Sequence, residues 1–144
     1  MGHFPSNPEK KGTRLIVHGI RRLESKADFD FCLISGVSHE EAMQQMLACD
    51  IVIDQLSPFG VYGMVSVEAM SLGRVVLSSI DPSYYEHCPV IPITEENFEE
   101  RLSEILSSPD RREKLGDDGR RYVQRVHHPA RAAALVIEQY ERIH

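Results

Sequence analysis

Residues 60–73, GVYGMVSVEAMSLG, combine two glycines and one carboxylate at a spacing that suits the binding of a phosphorylated ligand. Gly60 and Gly63 precede an apolar run with a helical pattern, which Gly73 is suited to end. The first N–H groups of a helix are unpaired and partly positive, so a phosphate is their natural ligand, and glycines leave the approach open. Glu68 lies five residues after Gly63, where its carboxylate could accept two hydrogen bonds from a ribose diol. The spacing therefore predicts a nucleoside diphosphate site.

A purely structural interpretation of the same residues is equally open. Gly60 and Gly63 would then shape a tight turn, and Glu68 would be a solvated surface acid. A glycine pair before a helix is common, so the local pattern does not separate the two interpretations.

The elements that would position this stretch alternate between short apolar runs and helical patterns. Buried strands are predicted over residues 29–35, 51–55, 74–79 and 90–93. Helices are predicted over residues 13–26 and 63–72, and a further helix from the capping box Ser38/Glu41 to about Cys49. Three more helices are predicted after these: one that begins at Thr94, one at Pro109, and one that runs from Pro129 to about Ile143. This alternation predicts a Rossmann-like three-layer α/β domain with a parallel sheet of about four strands. Ligands bind such sheets at the carboxyl ends of the strands, where the loop 56–62 and the helix after it should lie.

The 144 residues are predicted to form a single domain. Residues 1–12 are predicted to be a lead-in loop and residues 128–144 to contain the C-terminal helix. Because the first predicted element is a helix, we expect the first strand of the sheet to be missing. The sheet edge left open should then favour a homodimer.

Composition narrows the classes of function. The net charge of −6 argues against nonspecific nucleic-acid binding. Three cysteines without CxxC spacing predict free thiols in a reducing compartment, hence a cytoplasmic protein. No apolar run approaches the roughly 20 residues that span a bilayer. An anionic ligand would need a local basic region, which the first part of the chain offers in Lys10, Lys11, Arg14, Arg21 and Arg22.

The segment VYGMVSVEAMSLGRVVLSS resembles the signature region of retaining GT-B glycosyltransferases of family 4. These enzymes carry two acids spaced as E-x7-E with a glycine-rich run between them, and Glu68 matches the second acid. KKGTRLIVHGIRRL is similar to the KG motif and helix that open their donor-binding domain. FDFCLISGVSHEEAMQQMLACDIVID and SSPDRREKLGDDGRRYVQRVH resemble later segments of the same domain. The likeness covers nearly the whole chain and implies one half of a GT-B fold.

The resemblance implies a nucleotide-sugar site, with UDP or GDP as the nucleotide. Glu68 would bind the ribose, the start of its helix would bind the diphosphate and donor sugar, and the lysine of the KG motif would contact the diphosphate. The base would pack on the loop after the second strand. The implied binding residues are Lys11, Gly36, Val37, Gly60, Tyr62, Gly63, Met64, Val65 and Glu68. The motifs require neither a metal nor a cofactor, because the helix start and the lysine supply the positive charge.

The implied reaction is transfer of a sugar from an NDP-sugar to a hydroxyl of a glycan, lipid or small acceptor. In the family an acceptor-binding domain precedes this one, and that N-terminal domain is absent from this chain. We therefore expect the isolated chain to bind the donor and to turn over poorly or not at all, because transfer needs both halves of the cleft. The full-length enzyme could lie peripherally at the inner membrane face.

Departures from the family pattern leave the catalytic residue unassigned. Gly60 occupies the position of the first acid, and DQLSPFGVYG resembles a subgroup in which Asp54 or Gln55 could substitute for it. One alternative is a non-catalytic nucleotide-binding or assembly module with the same fold. A remote alternative is a receiver-like domain phosphorylated on Asp54, although the sequence lacks the acidic pair and the lysine that such a domain needs.

Overall fold

A five-stranded parallel sheet lies between two layers of helices. The structure, a computed structural model, describes residues 1–143 apart from the side chains of residues 132, 135, 139 and 143. The strands are β1 (Gly2–His3), β2 (Cys32–Leu33), β3 (Ile51–Gly60), β4 (Val75–Ile80) and β5 (Ile91–Pro92), in the spatial order β2-β1-β3-β4-β5. The helices are α1 (Thr13–Leu23), α2 (His39–Leu47), α3 (Met64–Ser71), α4 (Phe98–Leu106), α5 (Pro109–Val126) and α6 (Pro129–Ile143). The predicted three-layer α/β fold is confirmed.

Two hydrophobic cores cover the two faces of the sheet. Ile51 and Ile53 of β3 belong to the core shared with α1 and α4, whereas Val52 between them belongs to the core shared with α3 and α5. This alternation follows from the pleat, which sends successive side chains of a strand to opposite faces. Strands that are apolar on both faces are typical of a parallel sheet covered by helices.

The prediction that the chain lacks its first strand is wrong. Gly2–His3 forms β1, in which Gly2 pairs with Cys32 of β2 on one side and with Val52 of β3 on the other. A two-residue strand is too short to show a hydrophobic period, so its partners alone reveal it. The outer strands are β2 and β5. The expected open edge beside a missing strand therefore does not exist, and a homodimer stays a prediction that would need another surface.

The side chain of His3 fastens this short strand to its neighbours. It is fully buried, with Nδ1 2.7 Å from the carbonyl oxygen of Ile53 and Nε2 2.8 Å from Oγ1 of Thr13. A carbonyl can only accept, so Nδ1 carries the proton and Nε2 accepts from the threonine hydroxyl. Burial lowers the pKa of His3, which keeps the ring neutral and both hydrogen bonds intact.

Signals confined to one turn predicted helix ends correctly. Ser38 and Glu41 form the expected capping box, in which Oγ of Ser38 accepts from the Glu41 backbone N–H at 3.2 Å and the Glu41 carboxylate accepts from the Ser38 N–H at 3.0 Å. Gly73 follows α3 with a φ of 72°, a conformation that favours glycine. These local signals therefore predicted the start of α2 and the end of α3.

Several boundaries differ from prediction: β2, for example, covers only Cys32–Leu33 of the strand predicted over residues 29–35. Two further differences concern β3 and α4. β3 continues through part of the predicted loop 56–62 to Gly60, because its ladder with β4 continues after two register shifts. Thr94 does not cap α4, whose N-cap is Asn97. Instead, the Asn97 side chain accepts from the Thr94 N–H at 2.8 Å, and Oγ1 of Thr94 accepts from the Asn97 N–H at 3.3 Å, which closes a turn before the helix.

Over the described residues, none of the helices has the length and apolar character needed to cross a membrane.

Candidate functional site

The loop between β1 and α1 holds Lys11 against the middle of β3. The backbone N–H of Leu56 donates to the Lys11 carbonyl oxygen at 2.9 Å. Gly12 has a φ of 68°, and a Cβ there would lie 2.0 Å from the Leu56 carbonyl oxygen. Only glycine permits this approach, so the Lys-Gly pair places the lysine at the carboxyl edge of the sheet.

The carboxylate of Asp54 joins this lysine to the start of α3. Its Oδ1 accepts from Nζ of Lys11 at 2.6 Å, and its Oδ2 accepts from the Gly63 N–H at 2.6 Å and from the Ser66 hydroxyl at 2.7 Å. Asp54 is buried, so the pair is shielded from solvent. Three segments that are distant in the sequence meet at this one carboxylate.

Gln55 provides the second acceptor for Lys11. Its Oε1 lies 2.9 Å from the ammonium nitrogen, and its Nε2 donates to the Val61 carbonyl oxygen at 2.5 Å. An ammonium group has three N–H donors, and these two contacts use two of them. The third is available to a ligand, because the Lys11 side chain is 15% exposed.

Gly63 leaves space for the Lys11 ammonium and is not needed for its backbone conformation. Its φ of −92° is open to any residue, but a Cβ would lie 2.6 Å from Nζ of Lys11. Gly63 caps α3, and within the described part of the chain no acceptor contacts the N–H groups of Met64 and Val65. These N–H groups and the third Lys11 donor can bind an anion together.

Glu68 lies on α3 beside the loop that follows β2. Its side chain is 25% exposed, and its Oε1 is 3.7 Å from Nδ1 of His39, the first residue of α2. The loop leading to His39 carries Gly36, which has a φ of 73° and open space around it, and Val37, which is largely exposed. The contact with His39 therefore places Glu68 beside the start of α2, two residues after Val37. The assignment of a ribose to Glu68 and of a base to Gly36 and Val37 stays a prediction.

Gly60 is the last residue of β3 and lies beside a cleft, away from Glu68. Its φ is 69°, and its carbonyl oxygen accepts from the Asp81 N–H at 2.9 Å. A cleft of about 400 Å³ opens beside it. Its walls are apolar at Leu15, Leu56, Pro58, Ile80 and Ile93 and polar at Ser57, Ser79, Asp81, Thr94 and Glu95. A glutamate at position 60 would need a left-handed backbone, which bulky residues avoid.

Tyr62 is separated from the other predicted site residues by the direction of its ring. It stacks on Tyr85 with ring centroids 4.5 Å apart, and its hydroxyl lies 3.1 Å from that of Tyr122 and 2.8 Å from Nε2 of His127. Burial raises the pKa of Tyr62, and the hydrogen bond to Tyr122 adds to the shift. Its ring anchors the glycine-rich loop to α5 on the face of the sheet opposite α1.

Sequence reasoning missed the structural role of Asp54 and the participation of Ser66. Both interpretations of Asp54, as a substitute acid or as a phosphoacceptor, require a carboxylate that a ligand can reach. In the structure both oxygens are occupied by protein donors, and Gln55 is likewise engaged. The available signal was a charged residue within a predicted buried strand, which needs a buried partner.

The fold and this edge define an α/β domain in which the N-terminus of α3 and the Lys11 ammonium lie together at the carboxyl ends of the strands. The chain is similar in structure to the C-terminal domain of a glycosyl transferase group 1 family protein (LpcC) from Francisella tularensis, with a TM-score of 0.60 over 88% of this chain and 83% of that chain. The two are 17% identical in sequence, so the likeness shows a common fold. Neither a family model nor a curated protein sequence matches the chain.

Proposed function

We propose that the chain is the nucleotide-sugar-binding half of a retaining glycosyltransferase of the GT-B type, family 4. The observation that carries this proposal is the meeting of Lys11, the start of α3 and Glu68 at one edge of the sheet. The structural likeness to the C-terminal domain of a group 1 glycosyl transferase supports it.

Each part of a nucleotide-sugar would meet a suitable group. The diphosphate would accept hydrogen bonds from the N–H groups of Met64 and Val65 and from the third N–H of Lys11. The carboxylate of Glu68 would accept from the ribose hydroxyls, and the base would pack on Gly36 and Val37. In the transfer step the same donors would stabilise the charge that develops on the leaving diphosphate.

The acceptor is a glycan, lipid or small molecule whose hydroxyl would be positioned by a second domain. We assign no catalytic residue, because Asp54 and Gln55 are directed inward and Gly60 has no side chain. The protein would work in the cytoplasm, with UDP or GDP as the nucleotide.

Calorimetric titration of the chain with UDP, GDP and ADP tests the proposal. One nucleotide should bind, and Glu68→Ala should weaken it by roughly tenfold to a hundredfold, since a charge-assisted contact is worth about 1.5–3 kcal/mol. Glu100→Ala is the matched control, because Glu100 is an exposed acid on α4. If no nucleotide binds at millimolar concentration, or if both variants bind like the parent, the proposal is wrong.

A non-catalytic binding module is the second candidate. Two observations favour it: the charge of Lys11 is already neutralised by Asp54, and position 60 lacks the acid that helps transfer. Incubation with the matching NDP-sugar tests for the enzyme. Slow release of NDP that Glu68→Ala abolishes would favour the enzyme over the module, because a binding module releases no NDP.

A further inference from the structure

We infer that Asp54 is a positioning residue that also sets the charge preference of the phosphate site, so that a sugar-linked diphosphate is favoured over a free one. This inference rests on the proposed function. It gives Asp54 a role different from that of the substitute acid which the subgroup resemblance suggested.

The positioning role follows from the contacts of the carboxylate. Asp54 holds Nζ of Lys11 at 2.6 Å and the N–H of Gly63 at 2.6 Å, so the lysine and the start of α3 keep a fixed separation. Gln55 accepts from a second N–H of the Lys11 ammonium, which leaves its third N–H for a ligand. A ligand therefore meets donors that are already oriented and does not have to order a free lysine side chain.

The charge preference follows from burial. The Asp54 side chain has no exposed surface, and that of Lys11 is 15% exposed, so water screens their charges poorly. The charges of Lys11 and Asp54 cancel each other. The partial positive charge at the start of α3 also faces the Asp54 carboxylate, which accepts from the N–H of Gly63. The site therefore binds anions with hydrogen-bond donors and little net positive charge.

A fixed negative charge penalises ligands in proportion to their own charge. A free nucleoside diphosphate carries about −3 near neutral pH, because its terminal phosphate has a second pKa of about 6. A nucleotide-sugar has that oxygen esterified and carries about −2. Asp54 therefore weakens the free diphosphate more than the sugar-linked form, which favours release of the product of transfer over loss of the donor.

Asp54→Asn tests this directly, because the amide oxygen can still accept from Gly63 or Lys11. The measured quantity is the Kd of the NDP-sugar divided by the Kd of the NDP, for UDP with UDP-glucose, GDP with GDP-mannose and ADP with ADP-glucose. For charges roughly 8 Å apart, Coulomb's law at effective dielectric constants of about 20 to 80 gives a rise of roughly twofold to thirtyfold in this ratio. A merely structural role would weaken both ligands and leave the ratio unchanged.

Ser66→Ala is the matched control. It removes another hydrogen bond to the same Oδ2 without changing any charge, so the ratio should stay as in the parent. Should Asp54→Asn fail to fold, Gln55→Glu provides the opposite test. It puts a second carboxylate beside Lys11 in place of the amide and should lower the ratio.

The outcomes separate this inference from the proposed function. If the parent chain binds neither a nucleotide nor its sugar derivative, the proposed function fails and this inference fails with it. If the parent binds both and the ratio is unchanged in Asp54→Asn, or in Gln55→Glu when that variant replaces it, the inference alone is wrong. A shift of similar size in Ser66→Ala would also overturn it.

Discussion

Replacing Lys11 by methionine should destabilise the fold as well as remove a phosphate contact. Methionine keeps an unbranched apolar side chain but leaves Asp54 as a buried anion without its cation. Breaking a buried ion pair from one side costs about 3–5 kcal/mol. Asp54 keeps two donors, Gly63 and Ser66, so we expect the lower end of this range, about 3 kcal/mol.

Urea unfolding of four proteins measures this cost: the parent, Lys11→Met, Asp54→Asn and the double variant. Since the cost in Lys11→Met comes from the remaining charge, adding Asp54→Asn should restore about half of the lost free energy of unfolding or more. The coupling free energy from this double-mutant cycle should then exceed about 1 kcal/mol. The same variants show whether weaker nucleotide binding by Lys11→Met reflects the lost contact or a partly unfolded protein.

Two results would refute this reasoning. If Lys11→Met costs less than about 1 kcal/mol, then the pair is solvated and behaves like a surface salt bridge. If the two single costs simply add in the double variant, then Asp54 and Lys11 are not coupled, and the rigid site described above does not exist.

Two further predictions concern the elements around the site. Burial lowers the pKa of His3 below its unfolded value of about 6.5, so the unfolded chain binds more protons than the folded one. The free energy of unfolding should therefore be highest above about pH 6.5 and fall as the pH decreases below it. Urea midpoints at several pH values check this, and His3→Gln should flatten the profile. Gly12→Ala should lower the free energy of unfolding clearly more than Gly36→Ala. Both glycines have a positive φ, but only at Gly12 would a Cβ collide with another atom, the Leu56 carbonyl oxygen. Equal losses in the two variants would contradict the role given to this close approach.

The parts of the fold that the sequence predicted well are those defined by neighbouring residues. The capping box of Ser38 and Glu41 and the glycine that ends α3 each act within one turn. The order of strands and helices follows from apolar runs of sufficient length. The same kind of local signal gave a wrong N-cap for α4 at Thr94. Both Thr94 and Asn97 can cap a helix, and only packing selects between them.

The parts that could not be predicted depend on contacts between distant residues. β1 has two residues, and nothing in Gly2–His3 alone distinguishes a strand from a loop. The Lys11–Asp54 pair joins positions 43 residues apart. Sequence pattern showed a lysine suited to phosphate and an acid suited to catalysis, but only the fold shows that they are partners.

The hydrogen bonds of Tyr62 give the chain a built-in optical reporter. The sequence contains no tryptophan and five tyrosines, so tyrosine dominates its intrinsic emission. Tyr62 stacks on Tyr85 and contacts the hydroxyl of Tyr122, directly beside the loop that ends at Gly63. A ligand that displaces this loop alters the surroundings of three of the five emitters together, and binding can be followed on the unlabelled protein.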